Sequence, residues 1–176
     1  MSDRKAALPD VPDGLVGVFL TLAREHREAS ALLDQVRANP AMRPALWPLV
    51  KATLVPHEKG EVREVFPVLR QVPDTRGEAN HHDEEARGLE QMIYQLDLMD
   101  LASEAWSALF EQLAATVVAH ATEEEQRIFP DAQRVLGEAK AMELDLTYLT
   151  AKAQVLGGLT AAPVGPTVSP TETLGA

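Results

Sequence analysis

The sequence predicts an all-α fold: an antiparallel up-down-up-down four-helix bundle with an additional C-terminal helix and a disordered tail. Three observations carry that expectation. Apolar residues recur in steps of three and four over four long stretches, as one face of a helix requires. Strand signals are scarce. The breaks between stretches are short clusters rich in Pro, Gly and Asp, which suit tight connections between antiparallel neighbours.

The first stretch starts after the Pro-Asp-Gly turn at 12–14 and ends near Asn39 and Pro40, with the stripe Leu15, Phe19, Leu22, His26, Ala29, Leu33, Val36. The second runs from about Pro44, a favoured first-turn residue, to about Gln71, with the stripe Leu46, Val50, Leu54, His57, Glu61, Val65, Val68. Pro48, Pro56 and Pro67 should bend it, since each removes an intrahelical donor. A third helix is expected over about 78–101, with His82, Ala86, Leu89, Ile93 and Leu96 inward. Ser103 is the expected cap of a fourth, which carries Trp106, Phe110, Leu113, Val117, His120, Glu124 and Ile128 to about Pro130. A shorter helix, packed outside the others, is expected over 131–158. The domain organisation read from this is a flexible N-terminus over 1–12, one bundle domain over 13–156, and a Gly-, Pro- and Thr-rich disordered tail over 157–176.

With 176 residues and 45% apolar content, one globular domain is expected. The net charge of -11, from 27 acidic and 16 basic residues, argues against nucleic acid and anionic membrane as partners and suits a cation. No cysteine is present, which removes disulfides, thiolate metal sites and thiol catalysis. There is neither an apolar signal segment at the N-terminus nor a run of about 18 apolar residues, so a cytoplasmic protein is expected.

The chemistry lies in a repeat. His-x-x-x-Glu-x-x-x-x-Phe-Pro begins at His57 and again at His120. Residues four apart share a helix face, so each His stacks with its Glu (Glu61, Glu124) on the inward stripe. His26 and His82 are inward as well, which puts one histidine on each of the four helices. Any one of them is an ordinary buried histidine. Together with two buried carboxylates they form a set that apolar neighbours do not satisfy and a cation does. Imidazole and carboxylate ligands suit iron or manganese, and zinc less exclusively. Glu61 and Glu124 are suited to bridge two ions, with the histidines divided between them.

In these motifs the chain resembles the hemerythrin-like, or HHE cation-binding, domains: REHRE around His26, His57 and Glu61 before Phe-Pro, HHDEEARGL around His82, and His120 and Glu124 before Phe-Pro. The resemblance covers about residues 15–136. It implies a four-helix bundle with a non-haem di-iron centre: two iron ions bridged by carboxylates and an oxo or hydroxo ligand. His26 and His57 would go to one iron, His82 and His120 to the other, and Glu61 and Glu124 would bridge. The small ligands it implies are dioxygen, hydrogen peroxide or nitric oxide. The roles range over oxygen binding and oxygen, iron or redox sensing, and a catalase- or peroxidase-like activity stays open.

Oxygen-carrying hemerythrins have two histidines four apart on the third helix, whereas Ala86 follows His82 at that spacing. His81, Glu85, Glu78 or Glu58 are the candidates to fill the gap. A carboxylate or water in that position would favour the ferric state and open positions for chemistry, which favours a redox-reactive or sensing centre over a carrier. The alternative is a regulatory or interaction module whose metal is mainly structural. A ferritin-like oxidase needs two Glu-x-x-His motifs and only Glu78 to His81 supplies one, and HEKGE lacks the second His of a zinc protease. Oligomeric state is not legible.

Overall fold

The computed structural model describes residues 8–160. Most of the expected N-terminal segment (1–7) and most of the expected tail (161–176) lie outside the described residues. Among the described residues the structure is helical with no strand.

α1 (Gly17–Ala38) starts at a glycine for two reasons. Gly17 has φ of 55°, and a Cβ there would stand 2.3 Å from the Ala141 carbonyl oxygen. Gln133 ties down the preceding loop by accepting from the Val16 N–H (2.7 Å) and donating to the Gly14 carbonyl (2.8 Å). α2 (Arg43–Gly60) runs unbroken through Pro48 and Pro56. The chain then widens into a π-helical turn over Glu61–Val65 before α3 (Phe66–Leu69). α4 (Arg76–Asp97) stops four residues short of the expected end, because the Asp100 side chain accepts from the Ala102 N–H and holds a turn there. α5 (Glu104–Glu123) has the expected cap, Ser103 Oγ accepting from the Trp106 N–H at 3.0 Å. A second π-helical turn, Glu124–Ile128, leads into α6 (Phe129–Leu136).

The two π turns fall in the two copies of the repeat, and proline explains them. A proline ring clashes with the carbonyl four residues back and offers no N–H to it. Ahead of Pro67 the Phe66 N–H bonds instead to the carbonyl of Glu61, five residues back, and ahead of Pro130 the Phe129 N–H bonds to that of Glu124. The expected bend is thus an inserted residue, and it keeps both the Glu and the Phe of each motif buried.

The C-terminal part differs from expectation. Residues 129–136 continue the fourth helix, Gly137 (φ 81°) ends it, and α7 (Glu138–Thr160) is then the longest helix at 23 residues. It continues through Gly157 and Gly158, past the boundary expected at 156. It packs on α1 and α2 and buries Ala141, Leu144, Tyr148 and Ala151.

Two apolar clusters fill the interior. One holds Leu15, Phe19, Leu22, Val65, Phe66, Leu69, Ala79, Phe129 and Leu144; the other holds Leu33, Val50, Leu54, Leu89, Leu96, Trp106, Phe110 and Leu113. α1 and α4 pass from the first cluster to the second. The α2–α3 and α5–α6 segments pass from the second to the first. On each path the residues between the clusters are the histidines and glutamates of the repeat and its companions.

Gly60 shows how tightly α7 is seated, since a Cβ there would lie 2.6 Å from Cε2 of Tyr148. Gly60→Ala should therefore lower the urea midpoint despite the ~1 kcal/mol helix-propensity gain of alanine, because overpacking a rigid ring costs about 1–3 kcal/mol. Gly88→Ala, where a Cβ meets nothing within 4 Å, should raise it. Equal shifts of the same sign would contradict this packing.

Candidate metal centre

Six residues anticipated from the stripes converge in the layer between the clusters: His26 from α1, His57 from α2, Glu61 and Glu124 at the first positions of the π turns, His82 from α4 and His120 from α5. None is more than 5% exposed. Glu58, buried at 4% exposure, joins them. His26 Nε2 lies 3.2 Å from Glu124 Oε2, and His57 Nε2 3.4 Å from Glu61 Oε2. His82 Nε2 is 3.5 Å from Glu61 Oε2 and 3.3 Å from Glu124 Oε1. His120 Nε2 is 3.5 Å from Glu124 Oε1 and 3.7 Å from Glu58 Oε1. The rings group in pairs, His26 with His57 and His82 with His120, each with centroids 4.9 Å apart. Glu58, Glu61, His82 and His120 bring one donor atom each within 4.8 Å of the others, a grouping fit to hold a metal ion.

The other candidates for the third-helix position stand apart. The His81 side chain is 61% exposed and faces Glu85 at 3.4 Å. Glu85 is half-buried and accepts from His120 Nδ1 at 3.0 Å, behind the ring rather than in the layer. The Glu78 side chain lies outside the described residues.

Outer carboxylates stand behind the rings, and of these only Glu85 is a candidate from sequence. Glu125 accepts from His26 Nδ1 (2.8 Å) and Glu25 from His57 Nδ1 (3.0 Å), as Glu85 does from His120. Two of them are themselves held: Glu125 by the Arg27 guanidinium (2.6 Å), Glu25 by the Tyr148 hydroxyl (2.5 Å) and Lys152 Nζ (2.6 Å). A carboxylate only accepts, so these three Nδ1 atoms carry the proton and the Nε2 lone pairs face inward. Among the described residues no such carboxylate stands behind His82, and the Phe66 ring is stacked on it with centroids 3.5 Å apart. Glu25 and Glu125 each sit one residue from a predicted site residue, a neighbourhood that a one-face stripe ignores; Tyr148 and Lys152 come from the helix expected to be outside.

Among the described residues the inward atoms find no hydrogen-bond partner: this holds for the buried Nε2 of all four histidines, both oxygens of Glu61 and of Glu124, and Oε2 of Glu58. Their electrostatics report the same shortage of positive charge. Burial works against a charged His26, yet Glu124, Glu125 and Glu61 lift it to about 9. Burial likewise opposes charge on His82, and the facing Glu124 and Glu61 raise it to about 10. His120 is also raised well above its ordinary value, by Glu124, Glu85 and Glu58 against burial. Glu58, where burial outweighs its neighbours, is pushed up. Burial opposes charge on Glu25 too, but His57, Lys152 and Tyr148 hold it at about 2.

Without a bound cation these shifts set a pH window. A histidine raised from 6.5 to about 9 or 10 contributes stability that is complete below pH 6.5 and lost as pH rises through the raised value. Glu25, depressed from 4.5 to about 2, contributes stability present above 4.5 and lost as pH falls towards 2. The thermal midpoint in chelator should thus be highest between 4.5 and 6.5 and fall on both sides. A midpoint that stays level from about pH 7 to about pH 10 would contradict the assignment.

Among the described residues no helix is long and apolar enough to cross a membrane. No curated protein and no solved structure matches the chain. A family model described as the hemerythrin HHE cation binding domain matches residues 18–132. That span takes in more than half of the 176 residues and all seven residues of the inner layer, and the chain belongs to the hemerythrin HHE cation-binding domain family.

Proposed function

We propose that the layer holds two iron ions and that the chain is a non-haem di-iron protein of hemerythrin type, reacting with or sensing dioxygen, peroxide or redox state. The observation that carries this reading is the set of buried, mutually facing Nε2 and carboxylate atoms that have no hydrogen-bond partner. Their spacing supports it. Neutral hydrogen bonds want about 2.7–3.2 Å, whereas two donors each about 2.1 Å from one ion at right-angled to tetrahedral geometry stand about 3.0–3.4 Å apart. Of the six pairs here, five, at 3.3 to 3.7 Å, are longer than a hydrogen bond, and three, at 3.2 to 3.4 Å, match donors that share one ion.

In this reading His26 and His57 hold one ion, His82 and His120 with Glu58 hold the other, and Glu61 and Glu124 lie between. The ring pairs and the two shared carboxylates support that division. The alternating order in which the helices traverse the two apolar clusters supports an up-down-up-down bundle around the layer. Bound iron would supply Lewis acidity and one-electron redox capacity. The chain's own residues do the rest: Glu25, Glu85 and Glu125 fix three ring tautomers, and the apolar clusters exclude water on both sides.

Glu58 in a layer that lacks a fifth imidazole favours a reactive or sensing centre over reversible carriage. A cavity of about 10 Å³, bounded by His26, His57, His120, Ala29, Leu54 and Val117, is room for about one water-sized molecule. That leaves no space on this side of the layer for a ligand of more than a few atoms.

The double variant His57→Ala/His120→Ala should lose the bound iron, about two ions per chain, while the surface variant Arg134→Ala keeps it. Glu25→Gln should weaken iron binding by about 10- to 100-fold, the size expected of an outer carboxylate. Both are read by competition titration with elemental analysis. Undiminished iron in the double variant rules out the assignment. Turnover of hydrogen peroxide by the reduced, loaded protein separates a reactive centre from a metal that only supports the fold.

A further inference from the structure

Beside the site, between α2, α4 and α7, lies a groove of about 500 Å³. Its lining includes Lys59, Arg63, Arg87, Val155, Ala86 and, uniquely among the inner-layer residues, Glu58. Glu58 also borders the enclosed 10 Å³ cavity that touches His26, His57 and His120. One buried carboxylate therefore separates open solvent from the inside of the layer, and its Oε2 has no hydrogen-bond partner. Ala86, one turn after His82 on α4 and 6% exposed, presents only a methyl group at this wall. The rim is braced: Lys59 pairs with Glu90 across α2 and α4 at 3.0 Å, and Arg63 reaches Gln154 of α7 at 3.0 Å.

We propose that this groove is the access route by which a small O–H-bearing molecule of the hydrogen peroxide class reaches the site, with Ala86 setting the width of the passage and Glu58 receiving the ligand. This rests on the metal-centre reading above. Size and charge narrow the ligand class. The groove is wide, whereas the cavity beyond Glu58 is about 10 Å³, so only a ligand of a few atoms can follow it inward. The lining carries both signs, with Lys59, Arg63 and Arg87 against Glu58, Asp83 and Glu90, so it does not concentrate an anion, and a buried carboxylate at the inner end disfavours one. An unpartnered carboxylate oxygen favours a ligand with a proton to share, which hydrogen peroxide has and dioxygen and nitric oxide lack.

The experiment uses the iron-loaded full chain and three variants. Ala86→Phe narrows the passage, Val155→Trp fills the groove from α7 without touching α4, and Ala52→Phe alters the neighbouring groove between α2 and α4 as a control. Two rates are measured: iron extraction by a small bipyridyl chelator, and the absorbance change of the reduced protein on adding hydrogen peroxide. Both should slow about tenfold in Ala86→Phe and in Val155→Trp and stay at the wild-type value in Ala52→Phe. Should Ala86→Phe fail to fold or load iron, Val155→Trp alone decides. Wild-type rates in the groove variants, or equal slowing in Ala52→Phe, overturn the route while leaving the metal centre intact. A wild-type chain that retains no iron overturns both.

Discussion

Glu58, Glu61 and Glu124 lie within a few per cent of full burial, in a layer closed above and below by apolar side chains. Each such carboxylate costs several kcal/mol to desolvate unless positive charge is brought to it. Only two sources of charge are at hand in this interior. Protons on the imidazoles are one, and the raised values of His26, His82 and His120 express how strongly the carboxylates pull for them. A cation is the other, and one ion can take several of the inward Nε2 lone pairs and carboxylate oxygens at once.

Local structure is adapted to this layer. The two copies of the repeat begin their π turns at the buried glutamates, so the residue that each proline forces into the helix is taken up beside the site. Phe66 and Phe129, which follow, cover the layer as ring neighbours of His82 and His26. Gly60 makes room for Tyr148, and Tyr148 reaches Glu25 behind His57. α7 lies beyond the span matched by the family model, yet it supplies two of the groups that hold that carboxylate, Tyr148 and Lys152. The environment of His57 thus depends on residues particular to the chain's C-terminal helix.

How much could be read without coordinates follows from what each signal depends on. The inner layer was legible because a ligand on a helix must share the face of its apolar neighbours, and His26, His57, His82 and His120 all continue unbroken stripes. Ser103 was legible as a cap because its neighbours in sequence determine its role. Glu25 and Glu125 were not, since their function depends on which helix stands alongside, and sequence periodicity within one helix carries no such information. The π turns needed the packing of Phe66 and Phe129 as well as the prolines. α7 is only partly legible: its periodicity runs on from 131, and Gly137, which ends α6, separates from that run the Ala141, Leu144, Tyr148, Ala151 stripe that α7 buries. Residue His81, adjacent to His82 in sequence, points to solvent because one step along a helix turns about 100°.

We propose that the layer holds two redox-active metal ions. The most direct test is elemental analysis with near-ultraviolet and visible spectra of the full chain, produced in iron-supplemented medium, before and after reduction. About two irons per chain, with near-ultraviolet charge-transfer bands that bleach on reduction and return on re-aeration, is the expected result. A chain that emerges folded with no metal, or with zinc and a featureless spectrum, would contradict it.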